Sequence, residues 1–371
     1  MNALKIVILA NDTTYTYNLR REIIAHHIAS GHTVIVVCKF LKLKDELEAL
    51  GCRLINLPIG RQGTNPVEDV GLFLRYLHIL RKEKPDVVLS YNIKPNVYGG
   101  MACRLLGIKY LPNITGLGTA VEYPGRLQMF TTRLYKAGVS NAACVLFQNE
   151  ENEHFFWEHN MLSRQSRTRL LPGSGVNLKV HEAMPYPEGD TVHFLFIARI
   201  MKEKGIDLYM AAAKEIWGRH KNVLFHICGY CDDEKYLGNL QEVQKAGYMM
   251  YHGEQKDLRP FYRMASCIVH PSYYPEGMSN VLLEAAASAR PIITTNRNGC
   301  RECVDDGISG YVVPVKDEGA LVEAIEKFLS LSWEEKRDMG LNGRARMECM
   351  FDRNIVVRAY AEETERIAAS I

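Results

Sequence analysis

The chain has 371 residues, 47% of them hydrophobic and 24% charged, with a formal net charge of +2. That length exceeds what one hydrophobic core usually serves, so two domains are expected, and the near-neutral balance argues against a nucleic-acid partner. No segment reaches the roughly 18 consecutive apolar residues of a membrane span, and the ten cysteines read as reduced thiols of a cytoplasmic protein.

The opening "LKIVILA" is too short for a secretory apolar core and runs into polar "NDTTYTY", so it reads as a first strand. Residues 17–30 follow as a helix stopped by Gly31, and "HTVIVVC" is the next strand, which makes one βαβ unit. "PDVVLSY" and "AACVLFQ" extend the sheet, with "VYGGMACRLLG" a helix between them that ends at Gly107. Residues 125–136, "GRLQMFTTRLYK", mix Arg126, Arg133 and Lys136 with Leu127, Met129, Phe130, Leu134 and Tyr135. Such a helix either lies in a membrane interface or packs as an ordinary amphipathic helix on its own domain.

"LPGSGVN" near residue 172 and "PYPEGD" at 185–190 have linker composition. A second series then begins with strand "HFLFIAR", helix 205–219, strand "VLFHICG" and a helix near 233–246. It continues with strand "CIVHPS", a helix from about Ser279, and strand "PIITT". The same doubly wound α/β layout is thus written twice. Residues 352–369 form an amphipathic helix able to cross back and brace the first domain. The expected domains are 1–175 with 353–371, and 176–352. Residues 1–170 carry 21 Lys and Arg against 14 Asp and Glu, the remainder 24 against 29. A basic first domain suits an anionic acceptor or membrane surface, or is a chance imbalance of a solvated surface.

Doubly wound sheets bind ligands outside the carboxyl ends of their strands, and two such domains place the expected site in the cleft between them. Neither first loop carries G-x-G-x-x-G or G-x-x-x-x-G-K-[ST], which disfavours a dinucleotide dehydrogenase or a P-loop NTPase. The CxxC pairs Cys228/Cys231 and Cys300/Cys303 lie far apart with no His-x-His companion, so they read as buried thiols and not as zinc ligands.

"PEGMSNVLLEAA" holds Glu276 in a Pro-Gly turn and Glu284 eight residues on, in a run that should be helical. Eight residues of continuous helix rise about 12 Å and turn about 80° past two full turns, so the two carboxylates serve separate points. Ser279 is an N-cap candidate, and the helix start behind it favours an anion, above all a phosphate. Upstream, Arg199 ends the strand "HFLFIAR" and Lys204 lies just before Gly205. The two cations either clamp a diphosphate or belong to a solvated basic loop. Together these features describe an elongated ligand: a hydroxyl-bearing group, a diphosphate, and a second hydroxyl-bearing group near Glu284.

"IARIMKEKGID", "LPGSGVN", "HPSYYPEGMSNVLLEAAASARPII" and "GCRECVDDGISGYVV" resemble the retaining glycosyltransferases of family 4, which have the two-domain GT-B fold. By that resemblance Arg199 and Lys204 bind the donor diphosphate, and Glu276 contacts hydroxyls of the transferred sugar. Gly277, Met278, Ser279 and Asn280 hold sugar and phosphate through their backbone, Glu284 accepts from the ribose, and the base lies against turns at Gly229 and Gly253. Domain 1–175 becomes the acceptor side and 176–352 the donor side. "SYNIKPNVYGG", "NITGLGT" and "VLFQNEENEHF" look like bacterial members that extend lipid-linked saccharides, which points to Tyr17, Asn18, Lys94, Gly116 and Gly118 on the acceptor side. The loop Thr115–Gly118 lacks the histidine that many members carry there. Lys94 either makes an acceptor contact or is structural.

The implied reaction moves a hexose or N-acetylhexosamine from a UDP- or GDP-sugar to a polyprenyl-diphosphate-linked saccharide. It retains anomeric configuration and uses no cofactor or obligatory metal. Asp232–Asp233 and Asp305–Asp306 read as a helix start and a turn. The acceptor type favours peripheral attachment to the cytoplasmic face of the inner membrane. A transferase acting on a soluble sugar, a GT-B-fold nucleotide-sugar epimerase and a non-enzymatic nucleotide-sugar scaffold remain as alternatives; the intact Arg199, Lys204, Glu276 and Glu284 speak against the last.

Overall fold

The computed structural model describes residues 3–60, 65–118, 121–122 and 124–370. The chain forms two compact units, one running to Ser174 and resuming at Arg353, the other Gly175–Asp352.

The first unit runs β1 Lys5–Asp12, α1 Thr13–Ala29, β2 Thr33–Lys39, α2 Lys44–Glu48, β3 Arg53–Asn56, α3 Pro66–Glu83 and β4 Val87–Tyr91. A π-helical turn at Pro95–Gly99 leads into α4 Gly100–Leu106, then β5 Lys109–Ile114, α5 Arg126–Val139, β6 Val145–Phe147, α6 Glu150–Glu158 and β7 Thr168–Leu170. Among the described residues these strands make a parallel sheet in the order β3-β2-β1-β4-β5-β6-β7. The inner residues of β1, Ile6 to Leu9, are wholly buried, as a parallel strand covered on both faces requires. α1 starts at Thr13, four residues earlier than expected, because the Asp12 carboxylate at the end of β1 accepts the Tyr15 N–H at 2.9 Å and caps it.

The second unit runs β8 Val192–Ile197, α7 Ile206–Arg219, β9 Val223–Cys228, α8 Glu234–Lys245, β10 Met249–Tyr251, α9 Arg259–Met264 and β11 Cys267–His270. It continues with α10 Asn280–Ala287, β12 Ile292–Thr295, β13 Gly310–Val313, α11 Glu318–Leu329 and α12 Trp333–Arg346. Its parallel sheet has the order β10-β9-β8-β11-β12-β13. Strand order reverses between β1 and β4 in the first unit and between β8 and β11 in the second. Each is a switch point where loops diverge and leave a crevice.

The last helix, α13 Arg353–Ala368, belongs to the first unit. Its buried Tyr360 accepts from Asn113 Nδ2 at 2.7 Å, Arg353 donates to the Asn18 carbonyl at 3.2 Å, and Glu363 receives Arg167, Arg169 and Arg366. Burial, with 1% of the side chain exposed, pushes the Glu363 carboxylate up, but Arg167 and Arg366 together outweigh it and hold it below the usual range.

Candidate functional site

In the second unit Arg199, Lys204, Glu276, Gly277, Met278 and Ser279 lie on the loops that leave β8 and β11, the two strands flanking its switch point, while Asn280 and Glu284 lie on α10 and Gly229 and Gly253 follow β9 and β10. Arg199 follows β8 and is exposed, its guanidinium lying against Met201 Sδ at 2.9 Å. Lys202–Lys204 make one 3₁₀ turn, and Gly205, with φ +79°, starts α7. A Cβ on Gly205 would stand 2.1 Å from the Pro271 carbonyl oxygen beyond β11, so only glycine lets the two loops approach this closely. Backbone bonds fix the junction: Tyr273 N–H donates to the Glu203 carbonyl at 2.9 Å, and Ser272 Oγ reaches the same oxygen at 3.4 Å. Gly205→Ala combines an unfavourable φ with a main-chain clash and should destabilise the second unit by more than about 2 kcal/mol. An unchanged urea midpoint would refute this.

That junction brings Lys204 against Glu276, and their side chains form an ion pair with 16% and 15% exposed. The ammonium also sits over the Tyr274 ring, 5.0 Å from its centroid. Burial pulls the Lys204 ammonium down to about 8, with Cys300 opposing the fall and the nearby Arg199 adding to it. His270, at the end of β11, is fully buried, and burial together with Lys204 holds its imidazole neutral, at about 3. By the family resemblance Lys204 belongs to the diphosphate and Glu276 to the sugar; in the structure the two groups engage each other.

Ser279 occupies the N-cap position of α10, as the sequence suggests, and its side chain makes no capping hydrogen bond. Its backbone N–H instead donates to the Gly299 carbonyl at 2.7 Å, and Gly299 N–H donates to Glu302 at 2.7 Å. The loop after β12 therefore splints the turn that carries Gly277 and Met278, a role that no residue-type signal announced. Met278 points inward, its sulfur 3.6 Å from Cys303 Sγ. Asn280 Oδ1 is buried with no hydrogen-bond partner among the described residues. Glu284, one helical turn from the end of α10, accepts from the buried Tyr262 hydroxyl at 3.0 Å, which fixes its rotamer. Gly229 and Gly253 meet: Gly229 N–H donates to the Gly253 carbonyl at 2.8 Å.

Cys228 and Cys300 are free buried thiols that burial raises to about 12 and about 11, and both are protonated at neutral pH. Asp233 caps α8, Asp305 pairs with Arg346 at 2.6 Å, and Asp306 accepts the Val312 N–H.

In the first unit, Tyr17 lies on α1 beneath the Arg21 guanidinium, and Asn18 is exposed with its carbonyl engaged by Arg353. Lys94 pairs with Asp69 on α3 at 2.9 Å, with both side chains largely buried. Of its two readings this contact favours the structural one. Gly116 and Gly118 lie in the loop leaving β5.

Two family models match the chain, "Glycosyl transferase 4-like" over residues 5–149 and "Glycosyl transferases group 1" over 185–346. The chain belongs to the family 4 type of GT-B glycosyltransferase. Among its relatives is the N,N'-diacetylbacillosaminyl-diphospho-undecaprenol alpha-1,3-N-acetylgalactosaminyltransferase of Campylobacter jejuni, 24% identical over 99% of this chain and 100% of the relative. The capsular polysaccharide biosynthesis glycosyltransferase CapM of Staphylococcus aureus is 26% identical over 78% of each chain. Among solved structures, Anabaena Alr3699/HepE in complex with UDP superposes with a TM-score of 0.80 at 15% identity, over 98% of this chain and 100% of that one.

Proposed function

We propose that the protein transfers a hexose or N-acetylhexosamine from a UDP-sugar to a polyprenyl-diphosphate-linked saccharide in the assembly of a bacterial surface polysaccharide or glycan. The observation that carries the reading is the convergence of Arg199, Lys204 and Glu276 at the β8–β11 switch point, next to the start of α10. The Campylobacter relative's lipid-linked acceptor and the UDP in the Anabaena structure support the acceptor and donor classes.

Arg199, Lys204 and the N-terminus of α10 would take the diphosphate, Glu276 the hydroxyls of the transferred sugar, and Glu284 the ribose. As the bond from anomeric carbon to diphosphate breaks, the acceptor oxygen joins the same face of that carbon. The departing diphosphate oxygen takes up the acceptor's proton, so no protein base is required. The cationic side chains and the helix dipole stabilise the charge that grows on the leaving group.

The test is to incubate the protein with UDP- and GDP-sugars, with and without bacterial lipid-linked acceptors, and to identify products by mass. Sugar added to the lipid-linked acceptor supports the reading; conversion of the donor alone, or transfer only to soluble sugars, would reject it.

With cations already facing the diphosphate, and with Asp233, Asp305 and Asp306 committed to structural bonds, catalysis should persist in excess chelator. Loss of activity on chelation with recovery on adding magnesium would contradict this. We infer peripheral membrane attachment through α5, whose Leu127, Met129 and Phe130 are 52%, 49% and 53% exposed beside Arg126 and Arg133 while Tyr135 and Val139 face the core. The protein should float with anionic vesicles, and failure to do so would remove the attachment.

A further inference from the structure

At the amino-terminal end of the second unit's sheet, where β8 begins and far along that strand from Arg199, lies a cleft of about 300 Å³. Tyr186, Asn222, Glu326, Ser330, Trp333 and Lys336 line it. The volume is at the small end of ligand pockets.

The cleft wall holds polar groups that folding has buried without satisfying. Tyr186 is 7% exposed, and its hydroxyl has no hydrogen-bond partner among the described residues. Its ring is fixed by Trp333, edge to face at 5.9 Å, and by the Arg290 guanidinium, 5.9 Å from its centroid. A buried hydroxyl left unbonded is destabilising, and this one stands on an opening that a ligand can enter. Lys336 is 9% exposed, and its ammonium donates to the Leu329 carbonyl at 3.2 Å with no carboxylate paired to it among the described residues. The nearby acids are committed elsewhere: Glu326 to Arg219 at 3.0 Å and His220 at 2.7 Å, and Glu335 to the capping box of α12. Arg290, wholly buried beside Tyr186, donates to the carbonyls of Pro185, Tyr262 and Ala289. The wall therefore carries two buried cations that carbonyl dipoles solvate and no carboxylate neutralises, which favours an anion in the cleft. Asp190, the other acid of the lining, is exposed.

The rest of the lining is amphipathic. Trp333 is 37% exposed, with Arg337 over its ring and its indole N–H spent on the Pro187 carbonyl at 3.0 Å, so what it offers the cleft is apolar surface. Asn222 Nδ2 and Ser330 Oγ donate to the carbonyls of Asp190 and Lys327, which leaves the Asn222 and Ser330 oxygens to accept from hydroxyl groups.

We propose that this cleft binds an anionic pyranose, a six-membered sugar ring bearing a phosphate or a carboxylate, at a site separate from that of the donor. The anion meets Lys336 and the Tyr186 hydroxyl, the C–H face of the ring packs against the exposed indole surface, and the ring hydroxyls donate to Asn222 and Ser330. A free sugar phosphate and an acidic sugar residue of a saccharide share this chemistry.

The test measures binding of glucose 6-phosphate, glucuronate, glucose and inorganic phosphate by calorimetry to the wild type, Lys336→Met, Tyr186→Phe and Arg199→Ala. The wild type should bind one of the anionic sugars at least about tenfold more tightly than glucose or inorganic phosphate, and the tighter of the two identifies the anion. Lys336→Met should weaken that ligand by about tenfold and Tyr186→Phe by about fivefold, the losses of a charge-assisted and a neutral hydrogen bond, while Arg199→Ala should leave it within about twofold. Tyr186→Phe removes an oxygen that bonds nothing in the fold, so it reads the site even where Lys336→Met lowers stability. Wild-type affinity in both cleft variants would overturn the site, as would failure of either anionic sugar to bind. Inorganic phosphate binding as tightly as the sugars would remove the pyranose, and loss of binding in Arg199→Ala would place the ligand at the donor loops and reject the cleft.

Discussion

Glu276→Gln should retain the fold and lose at least a hundredfold in turnover, with a smaller change in the affinity for a bare nucleoside diphosphate. The carboxylate pairs with Lys204, and in the proposed complex it would also accept from the hydroxyls of the sugar. A hydrogen bond from a sugar hydroxyl to a carboxylate that positions the anomeric centre is charge-assisted, and its loss falls on the transition state. Glutamine keeps the shape and removes the charge, and it also leaves the largely buried Lys204 ammonium without its counter-ion. Because burial already pulls that ammonium down to about 8, Lys204 in the variant should lose its proton more readily and activity should fall off at a lower pH than in the wild type. Measuring kcat and KM across pH 6.5–9.5, alongside thermal unfolding, checks both parts. Turnover within threefold of wild type would remove Glu276 from the sugar position.

Mild acid should destabilise the protein well before its carboxylates titrate. Three buried histidines are held neutral: His27 and His226 lowered to about 4, His270 to about 3. The largest cause in each case is burial; next come His32 and then His26 beside His27, His193 and His252 beside His226, and Lys204 beside His270. In the unfolded chain each takes a proton near pH 6.5, whereas the folded chain resists until about pH 4. The unfolded state therefore binds more protons throughout that window, and stability falls as pH falls through it. Each histidine costs about 2 kcal/mol between pH 7 and pH 5, a large share of a typical domain's stability. Two of the three lie in the second unit, which should lose about twice as much as the first. Urea unfolding at pH 7 and pH 5 would show it, and a His226→Gln variant should flatten the slope; coincident midpoints at the two pH values would refute the account.

The long apolar runs announced their strands because parallel strands are buried on both faces: "KIVILA", "VLFHIC" and "PIITT" needed no context. β3, β7 and β10 escaped notice because "RLIN", "TRL" and "MMY" are short, and the first two are partly exposed throughout. In β5, Pro112 argues against a strand interior, yet the segment is held between β4 and β6 by tertiary pairing. At the candidate site the residue types and spacing were legible, since Glu276, Glu284, Arg199 and Lys204 sit in a distinctive order. Their partners were not. The pairings Lys204–Glu276 and Lys94–Asp69, the Tyr262 hydroxyl on Glu284 and the Gly299 carbonyl on Ser279 all join segments that are distant in sequence. Residue types there reveal a capacity to bond and leave the partner open.

The place of α13 in the first unit sets an order on synthesis. Asn113, Arg167 and Arg169 have their buried partners, Tyr360 and Glu363, on a segment that leaves the ribosome only after the whole of Gly175–Asp352 has been made. The second unit is contiguous and can close while translation continues; the first must wait, its sheet formed but one flank open, until Arg353–Ala368 arrives. A chain truncated after Asp352 and released from the ribosome should therefore hold a protease-resistant second unit beside a first unit that chaperones still recognise.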